Sequence, residues 1–300
     1  MNLFADDYKI TKPLRLIELF AGYGSQAMAF ERIGAKFEHW FVCEFDKYAI
    51  KSYNAVHGTS YDVSDIRNVH AADLNIIDRD KYCYFMTYSF PCTDLSLAGK
   101  RMGMSKGSGT RSGLLWEVER LLNELGDNLP DVLFMENVPQ VASEQNRPDF
   151  EEWLKYLNNK GYSNCFKVLN AKDYGVPQSR ERAYMFSFLG NYDYEFPEPV
   201  KLKKCMKDCL EPQVDEKYYI NNEKANKLIS QLKERGVLPE QYNNQGICNH
   251  AQEENGVIEY VGNYRRNAPQ GYSGSVYKTS GISPCCNARD YKEPIMIITE

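Results

Sequence analysis

The sequence predicts an α/β protein built on an open Rossmann-like sheet with helices on both faces, followed by a smaller irregular lobe. The first observation is a strand, a glycine turn and a helix at residues 14–33. The second is that strands and amphipathic helices alternate from there to residue 188. The third is that residues 190–300 lose this alternation and become rich in Tyr, Asn, Lys and Pro. We therefore expect two regions, 12–189 and 190–300.

The bulk composition predicts a cytoplasmic protein without a membrane segment. No apolar run among the 300 residues is long enough to cross a bilayer or to act as a signal peptide. The nine cysteines, an odd number, are better explained as reduced thiols than as a disulfide framework. A net charge of -5 argues against a protein that coats nucleic acid along its whole surface, but it permits a local basic site.

The opening strand, Leu14–Phe20, runs into a glycine turn with Gly22 and Gly24, and a helix is predicted over 26–33. The glycines let the backbone pass close to a ligand, and the amino end of the helix offers N–H groups to it. The pattern is Gly-x-Gly without a third glycine, because Ala27 stands at that position. Such a turn also arises for packing reasons alone, so this motif by itself leaves both interpretations open.

An acidic residue, Glu44, ends the second predicted strand, His39–Phe45. In nucleotide-binding sheets a carboxylate about 20 residues beyond the glycine turn binds ribose hydroxyls. The alternative is an ordinary carboxylate at the end of a strand, exposed to solvent. The coincidence with the glycine turn favours ribose binding.

A cysteine follows the predicted strand Tyr82–Phe90. This apolar run ends at Pro91, and Cys92 comes directly after it. Open α/β sheets place their chemistry at the carboxyl ends of central strands. We therefore expect Cys92 to act as a nucleophile.

A basic loop follows this cysteine at residues 99–113. It contains five glycines, no acidic residue and four cations, namely Lys100, Arg101, Lys106 and Arg111. A mobile loop of this composition suits phosphate binding next to a reactive site. A solvated linker is the alternative.

Two further groups of polar residues occur in the predicted sheet. The apolar strand Asp131–Val138 ends in Glu136, and a carboxylate in such a place must be paired or protonated. Gln178, Arg180 and Arg182 alternate, so on an extended segment they share one face. Three donors on one face suit a phosphate or a carboxylate.

The remaining predicted elements complete the two regions. In the first region we expect helices at 47–57, 114–125 and 150–160, a short element at 62–69, and strands at 163–170 and at the end of 174–188. In the second region we expect a basic cluster at 201–204, a helix at 221–235 and short strands near 257–261 and 295–298.

Taken in order, these motifs resemble those of the cytosine-5 DNA methyltransferases. The resemblance rests on Leu16–Gly24, Phe90-Pro-Cys92, Met135-Glu-Asn-Val138 and Gln178-x-Arg-x-Arg182. Each motif is short, but the ordered set at these spacings is specific. Residues 88–92 and 107–117 are especially similar to the bacterial CpG-type members.

The resemblance implies a DNA (cytosine-5-)-methyltransferase with a covalent mechanism. Cys92, as a thiolate, would attack C6 of a cytosine turned out of the duplex. Glu136 would hold the base through N3 and the exocyclic amine. Arg180 and Arg182 would lower the pKa of the thiol and orient the base. The C5 atom would then take the methyl group of S-adenosylmethionine.

The resemblance also implies the binding residues. Those expected to contact S-adenosylmethionine are Phe20, Ala21, Gly22, Gly24, Glu44, Phe45, Asp65, Ile66 and Pro91. Those expected to contact double-stranded DNA are Lys100, Arg101, Lys106, Arg111 and Gln178, with 190–300 as the target-recognition region. No metal ion is implied. The expected setting is restriction–modification or a phage.

The sequence departs from the family near its end. Members of the family normally have, after the target-recognition region, a further helical motif and a final motif that contains Gly-Asn, and we find neither before Glu300. Gly262-Asn263 stands in an unsuitable setting for the final motif. Ser283–Ala288 stands where the family has a Pro-Thr-Leu-Thr-Ala stretch. We therefore expect a fragment, or half of a split enzyme completed by a separate carboxy-terminal polypeptide.

Three alternatives stay open. A branch of the family with the same motifs acts on transfer RNA, and the long region after residue 190 favours DNA instead. A non-catalytic DNA-binding half of a split enzyme is the second alternative. A zinc site from Cys205, Cys209, Cys248 and His250 is the third, although the spacing of these residues suits zinc poorly.

Overall fold

The computed structural model describes residues 6–95, 103–215, 222–234, 236, 260–263, 275–278, 283 and 296–298. The chain divides into two compact units, one of Met1–Leu169 with Arg182–Pro197 and one of Asn170–Glu181 with Glu198–Glu300. The division into 12–189 and 190–300 stays a prediction. Among the described residues, no helix combines the length and the apolar character needed to cross a membrane.

The first unit is organised around a six-stranded mixed sheet. Its strands and those of a small neighbouring sheet are β1 (Asp6–Asp7), β2 (Leu14–Leu19), β3 (Phe37–Cys43), β4 (Cys83–Tyr88), β5 (Val132–Asn137), β6 (Tyr162–Asn170), β7 (Glu181–Leu189) and β8 (Tyr192–Asp193). The large sheet has the order β3-β2-β4-β5-β7-β6, and β1 pairs with β8. β2 to β5 are parallel, whereas β7 runs antiparallel to β5. The predicted α/β class is confirmed.

In the described part of this region, five α-helices connect the strands, namely α1 (Ser25–Arg32), α2 (Lys47–His57), α3 (Ala71–Leu74), α4 (Leu115–Glu124) and α5 (Arg147–Asn159). α2 begins where the Asp46 carboxylate accepts hydrogen bonds from two backbone N–H groups of the first turn. α5 begins at Arg147 rather than at the predicted Phe150, because Pro148 is tolerated in a first helical turn. α3 was not predicted, since one helical turn shows no periodicity.

Helices cover both faces of the sheet, as predicted. Leu16 of β2 packs in one apolar cluster with Ala27 of α1 and Phe85 of β4. Its neighbour Ile17 points to the opposite face, in the larger cluster that includes Trp153 of α5 and residues of α4. The fully buried Trp153 donates a hydrogen bond from Nε1 to the hydroxyl of Tyr88, 3.2 Å away. The sheet is therefore an internal layer.

The second unit has its own small sheet and helix. They are α6 (Asn222–Glu234), β9 (Tyr260–Asn263), β10 (Ser275–Lys278) and β11 (Met296–Ile298), in the strand order β11-β10-β9. The predicted helix at 221–235 is confirmed, and β9 and β11 overlap the predicted strands. β10 was missed. The basic cluster at 201–204 forms no helix or strand.

Candidate active site

The carboxyl ends of the four parallel strands meet at one edge of the sheet. The register pairs Leu19 with Tyr88 and Thr87 with Phe134, so β2, β4 and β5 end at similar heights. The antiparallel β7 starts at this edge, because Ala183 pairs with Asn137. The glycine turn and the residues after β3, β4 and β5 are thus brought to the same edge as the start of β7.

The glycine turn depends on left-handed backbone conformations. Phe20, Gly22 and Gly24 have φ values of 58°, 60° and 83°. A side chain at Gly24 would collide with the neighbouring helix, because its Cβ would lie 2.2 Å from Nε2 of His57. A Cβ at Gly22 would meet nothing within 4 Å, so open space lies beside the backbone there. The turn is both sharp and accessible to a ligand.

Glu44 holds this turn through its carboxylate. Oε2 accepts a hydrogen bond of 2.8 Å from the backbone N–H of Gly22, and Oε1 accepts one of 2.7 Å from Asp46. Phe45, the next residue, exposes 68% of its surface, which is unusual for a large aromatic side chain. The structure thus brings Glu44 to the glycine turn, and its role in ribose binding stays a prediction.

The segment that carries Asp65 and Ile66 lies next to Glu44, because the backbone N–H of Ser64 donates a hydrogen bond of 2.8 Å to the carbonyl of Glu44. A hydrogen bond from the Arg67 guanidinium lowers the pKa of Asp65, so this carboxylate stays ionised. Ile66 is buried in the core. Asp65, and not Ile66, is therefore the residue of this pair that offers a polar side chain outside the core.

The loop that carries Cys92 is held through its backbone carbonyls. The side-chain amide of Asn137 donates to the carbonyl of Phe90 at 3.0 Å. The hydroxyl of Ser112 donates to the carbonyl of Pro91 at 2.7 Å. Cys92 itself is half-buried, and its carbonyl accepts from the N–H of Leu95. The backbone before the thiol is therefore fixed by two side chains from later parts of the chain.

Asp94 completes this loop. Its Oδ2 atom accepts hydrogen bonds from the backbone N–H groups of Arg111 at 2.8 Å and of Ser112 at 3.3 Å. Sequence reasoning missed Asp94, Ser112 and Asn137 as site residues. Asn137 could have been found from the sequence, because it directly follows the predicted site residue Glu136. Asp94 and Ser112 carry no such signal, because their pairing depends on the fold.

Glu136 forms an ion pair with Arg182. Oε1 of Glu136 lies 3.2 Å from Nε of Arg182, and their side chains are 24% and 15% exposed. The β5–β7 register produces this contact, since Glu136 pairs with Tyr184 two residues beyond the arginine. The carboxylate at the strand end is therefore paired, one of the two states that the sequence required.

Gln178 and Arg180 belong to the second unit. There the backbone N–H of Arg180 donates to Oδ1 of Asn170 at 3.0 Å, and Gln178 forms a strand-like bridge with Ser283. The roles predicted for these two side chains stay predictions.

Two of the four predicted cations of the basic loop are described. Lys106 lies 2.7 Å from Oε1 of Glu119 on α4 and above the ring of Trp116, so it is already paired within the protein. The side chain of Arg111 is exposed. Lys100 and Arg101 lie outside the described residues, as do Cys248 and His250 of the zinc alternative.

Two other cysteines near the sheet contrast with Cys92. Burial raises the pKa of Cys43 and of Cys83 to about 11. Neither forms a thiolate readily at neutral pH, and a buried thiol cannot reach a substrate. Among the thiols of the strands that form this edge, Cys92 is the accessible one.

Comparisons with known proteins identify the family of this chain. A sequence model described as C-5 cytosine-specific DNA methylase matches residues 14–293. The type II methyltransferase M2.ScrFI of Lactococcus lactis subsp. cremoris is 32% identical over 257 residues, covering 70% of this chain and 71% of the relative. The orphan methyltransferase M.SssI of Spiroplasma monobiae is 34% identical over 265 residues, covering 71% and 68%.

A solved structure is similar in fold. The Dnmt2 methyltransferase of S. pombe superposes with a TM-score of 0.61 at 22% identity, covering 95% of this chain and 74% of that one. The family model spans the glycine turn, the Pro91-Cys92 loop and the Glu136–Arg182 pair in one continuous match. The chain therefore belongs to the C-5 cytosine-specific DNA methylase family.

Proposed function

We propose that this chain transfers a methyl group from S-adenosylmethionine to C5 of a cytosine in DNA, through a covalent bond between Cys92 and the base. The observation that carries the proposal is the Glu136–Arg182 ion pair at the sheet edge that also holds Cys92. A nucleophilic thiol, a carboxylate and a guanidinium are the groups that this chemistry needs. Family membership supports the same reaction.

Each residue has one role in the proposed reaction. The Cys92 thiolate forms a bond to C6 of the flipped-out cytosine, and the electron pair of the C5–C6 double bond moves to C5, with the negative charge delocalised toward N3. Glu136 accepts a hydrogen bond from the exocyclic amine and shares a proton with N3, which stabilises the charge, and Arg182 fixes the Glu136 carboxylate. After C5 has taken the methyl group and the donor has left as a thioether, the C5 proton passes to solvent. The electron pair of that C–H bond re-forms the C5–C6 double bond, and the bond from Cys92 to C6 breaks with its electrons returning to sulfur. The thiolate is thereby regenerated.

The donor half of the edge suits S-adenosylmethionine, which supplies the methyl group when bound. Open space beside Gly22 and the exposed ring of Phe45 would accommodate its amino-acid part and its adenine. Glu44 uses one lone pair on each oxygen for Gly22 and Asp46, so each oxygen can still accept from a ribose hydroxyl. We assign the other predicted cofactor residues, Phe20, Ala21, Gly24, Asp65, Ile66 and Pro91, to the same site.

Double-stranded DNA is the proposed substrate, and the basic loop is the proposed DNA-contacting segment. Lys106 would have to exchange Glu119 for a phosphate, whereas the exposed Arg111 needs no such exchange. A relative named a type II methyltransferase suggests a restriction–modification setting, and orphan methyltransferases of Bacillus phages suggest a phage setting. The cytoplasm is the location we propose. A separate carboxy-terminal polypeptide stays part of the proposal.

Bisulfite sequencing of plasmid DNA from cells that express the chain tests the reaction. We expect protected cytosines with the wild type and none with Cys92→Ser. Cys209→Ser, which alters an exposed cysteine of the second unit, is the matched control and should methylate normally. Methylation that persists in Cys92→Ser would refute the covalent mechanism.

A second arm compares substrates with the purified protein. Labelled methyl transfer to duplex DNA but not to transfer RNA is expected, and the reverse result would favour the RNA-modifying branch. If the wild type is inactive, the carboxy-terminal segment of a relative is added. Restored transfer supports the split enzyme, whereas DNA binding without transfer in both mixtures favours a non-catalytic protein.

A further inference from the structure

A second cluster of chemically capable side chains lies behind the glycine turn. Glu31 of α1, His39 of β3 and His57 of α2 each offer one ligand atom, and the three atoms lie within 4.8 Å of one another. The side chain of His57 is fully buried, whereas that of Glu31 is about half exposed. The sequence predicted no metal site here, because these residues follow no recognised ligand spacing.

The hydrogen bonds of His57 determine its tautomer. Its Nε2 atom lies 3.2 Å from the backbone carbonyl of Tyr23, and a carbonyl oxygen only accepts, so Nε2 carries the hydrogen. In the neutral ring the lone pair is then on Nδ1. That atom lies 3.2 Å from Oε1 of Glu31, which is also an acceptor. Two acceptors that face each other at this distance require a cation between them, either a proton or a metal ion.

The hydrogen bonds of His39 leave its other nitrogen available. Its Nδ1 atom lies 2.7 Å from the hydroxyl of Tyr53, and that hydroxyl donates its proton to Oε2 of the buried Glu18 at 2.5 Å. Nδ1 of His39 must therefore be the donor to Tyr53, which puts the lone pair on Nε2.

We propose that Glu31, His39 and His57 bind a divalent transition-metal ion, with Zn²⁺ as the best fit. Two imidazole nitrogens and one carboxylate oxygen are ligands that zinc prefers, and the exposed side of Glu31 leaves a fourth position for water. Metal-bound histidines usually have their second nitrogen held by a hydrogen bond. Tyr53 and the Tyr23 carbonyl provide these bonds.

Such a site would connect three elements next to the glycine turn. His57 approaches Gly24 so closely that no side chain fits between them, and it also holds the Tyr23 carbonyl. A metal ion bound to α1, β3 and α2 would stabilise the folded state in proportion to its affinity. The inference stands independently of the methyl transfer proposed above.

The test is a titration of the full chain, stripped of metal with a chelator, first with Co²⁺ and then with Zn²⁺. We expect one equivalent of Co²⁺ to give visible d–d bands without the near-ultraviolet charge-transfer band of a thiolate ligand. Zn²⁺ should displace it and raise the melting temperature. This readout separates the proposed site from the cysteines, which would bind Co²⁺ through sulfur.

Four variants make the assignment specific. Glu31→Gln and His39→Gln should each weaken binding by about tenfold or more, since each removes a ligand. Tyr53→Phe keeps all ligands and should weaken binding about 10- to 100-fold by releasing the ring of His39. His70→Gln is the matched control and should bind normally, because His70 forms a similar pair with Glu124, 3.3 Å apart, and no third ligand joins them among the residues that the structure describes.

Several outcomes would overturn the proposal. Absence of binding in the wild type would mean that a proton alone lies between His57 and Glu31. A thiolate charge-transfer band, or equal affinity in Glu31→Gln, His39→Gln and the wild type, would move the metal to another site. Circular dichroism of the metal-free variants verifies that each one is folded, and Glu31→Gln, altered at a half-exposed position, is the least disturbing of them.

Discussion

The two halves of the active-site edge are stabilised in different ways. In the donor half, formed by the ends of β2 and β3, the residue proposed to bind ligand also holds the turn, because Glu44 accepts from Gly22. In the nucleophile half, formed by the ends of β4 and β5, Asn137 and Ser112 hold the loop through backbone carbonyls. These two supports of the loop come from residues other than Cys92, the proposed nucleophile.

In the nucleophile half, the residues that position the loop differ from the residue proposed to react. In the donor half, Glu44 is proposed to do both. A substitution at Glu44 should disturb both the turn and ligand binding. In the nucleophile half, substitutions of supporting and reacting residues should have different kinetic signatures. The four predictions below test this distinction, from the largest expected effect to the smallest.

The largest effect is expected for Glu136→Gln. Cytosine N3 is an acceptor, so Glu136 holds it by sharing a proton, which a neutral amide cannot transfer to the ring, and Arg182 loses its ion-pair partner. We expect kcat to fall by about 10²- to 10⁴-fold with little change in the KM for S-adenosylmethionine. Steady-state methyl transfer measures both constants. Glu151→Gln, at an exposed position of α5, is the control, and equal kcat values for the two variants would contradict the assignment.

Asn137→Ala should affect the support of the thiol rather than the chemistry itself. The buried amide donates to Phe90 and accepts from the N–H of Val138 at 2.8 Å. Its loss leaves the Phe90 carbonyl without this donor and should cost about 1–3 kcal/mol of unfolding free energy. Urea unfolding measures this loss, and kcat should fall with it.

The control for Asn137→Ala is Asn158→Ala. Asn158 is exposed and its side chain bonds only to Asn164 among the described residues, so its replacement should cost less than about 0.5 kcal/mol. If both alanine variants unfold at the same urea concentration, Asn137 does not support the loop.

Glu44→Gln should act through binding in the donor half. The amide keeps one acceptor oxygen and so cannot serve Gly22, Asp46 and a ribose together as the carboxylate can. We expect the KM for S-adenosylmethionine to rise about tenfold, which corresponds to about 1.4 kcal/mol, with the KM for DNA unchanged. An equal rise in both KM values would mean that the whole edge is disturbed.

The smallest effect concerns pH. Burial raises the pKa of Glu18 above its ordinary value of 4.5, against the opposing hydrogen bond from Tyr53. A folded-state pKa above the unfolded one gives stability that is complete below the unfolded pKa and is lost as pH rises through the folded pKa. Unfolding free energies of wild type and Glu18→Gln, measured from pH 4 upward, should show this decline in the wild type alone. Parallel curves would contradict it.

The local pattern of apolar and polar residues predicted the strands and helices of the first unit well. The apolar run before Pro91 and the one before Glu136 each became a central strand, because parallel strands buried on both faces are continuously apolar. The strand β1 was not predictable, since two aspartates pair with Tyr192 and Asp193 only after the chain has folded. β10 was missed because its four residues, Ser275–Lys278, are too few to show a pattern.

Long-range contacts limited prediction of the site in the same way. Cys92 was identifiable because it follows an apolar strand, and Glu136 because it lies near the end of one. The support of Cys92 by Ser112 and the approach of His57 to Gly24 depend on which elements become neighbours. No spacing in the sequence encodes those two contacts, so only the three-dimensional arrangement reveals them.

The bond from Asn137 to Phe90 has a consequence for how the protein is made. Its two residues are separated by 47 positions, and it can form only after β5 has joined β4 in the sheet. During translation the Cys92 loop therefore leaves the ribosome well before the residue that fixes it. We expect the thiol of a nascent chain to react readily with alkylating reagents until Asn137 has emerged, and more slowly afterwards.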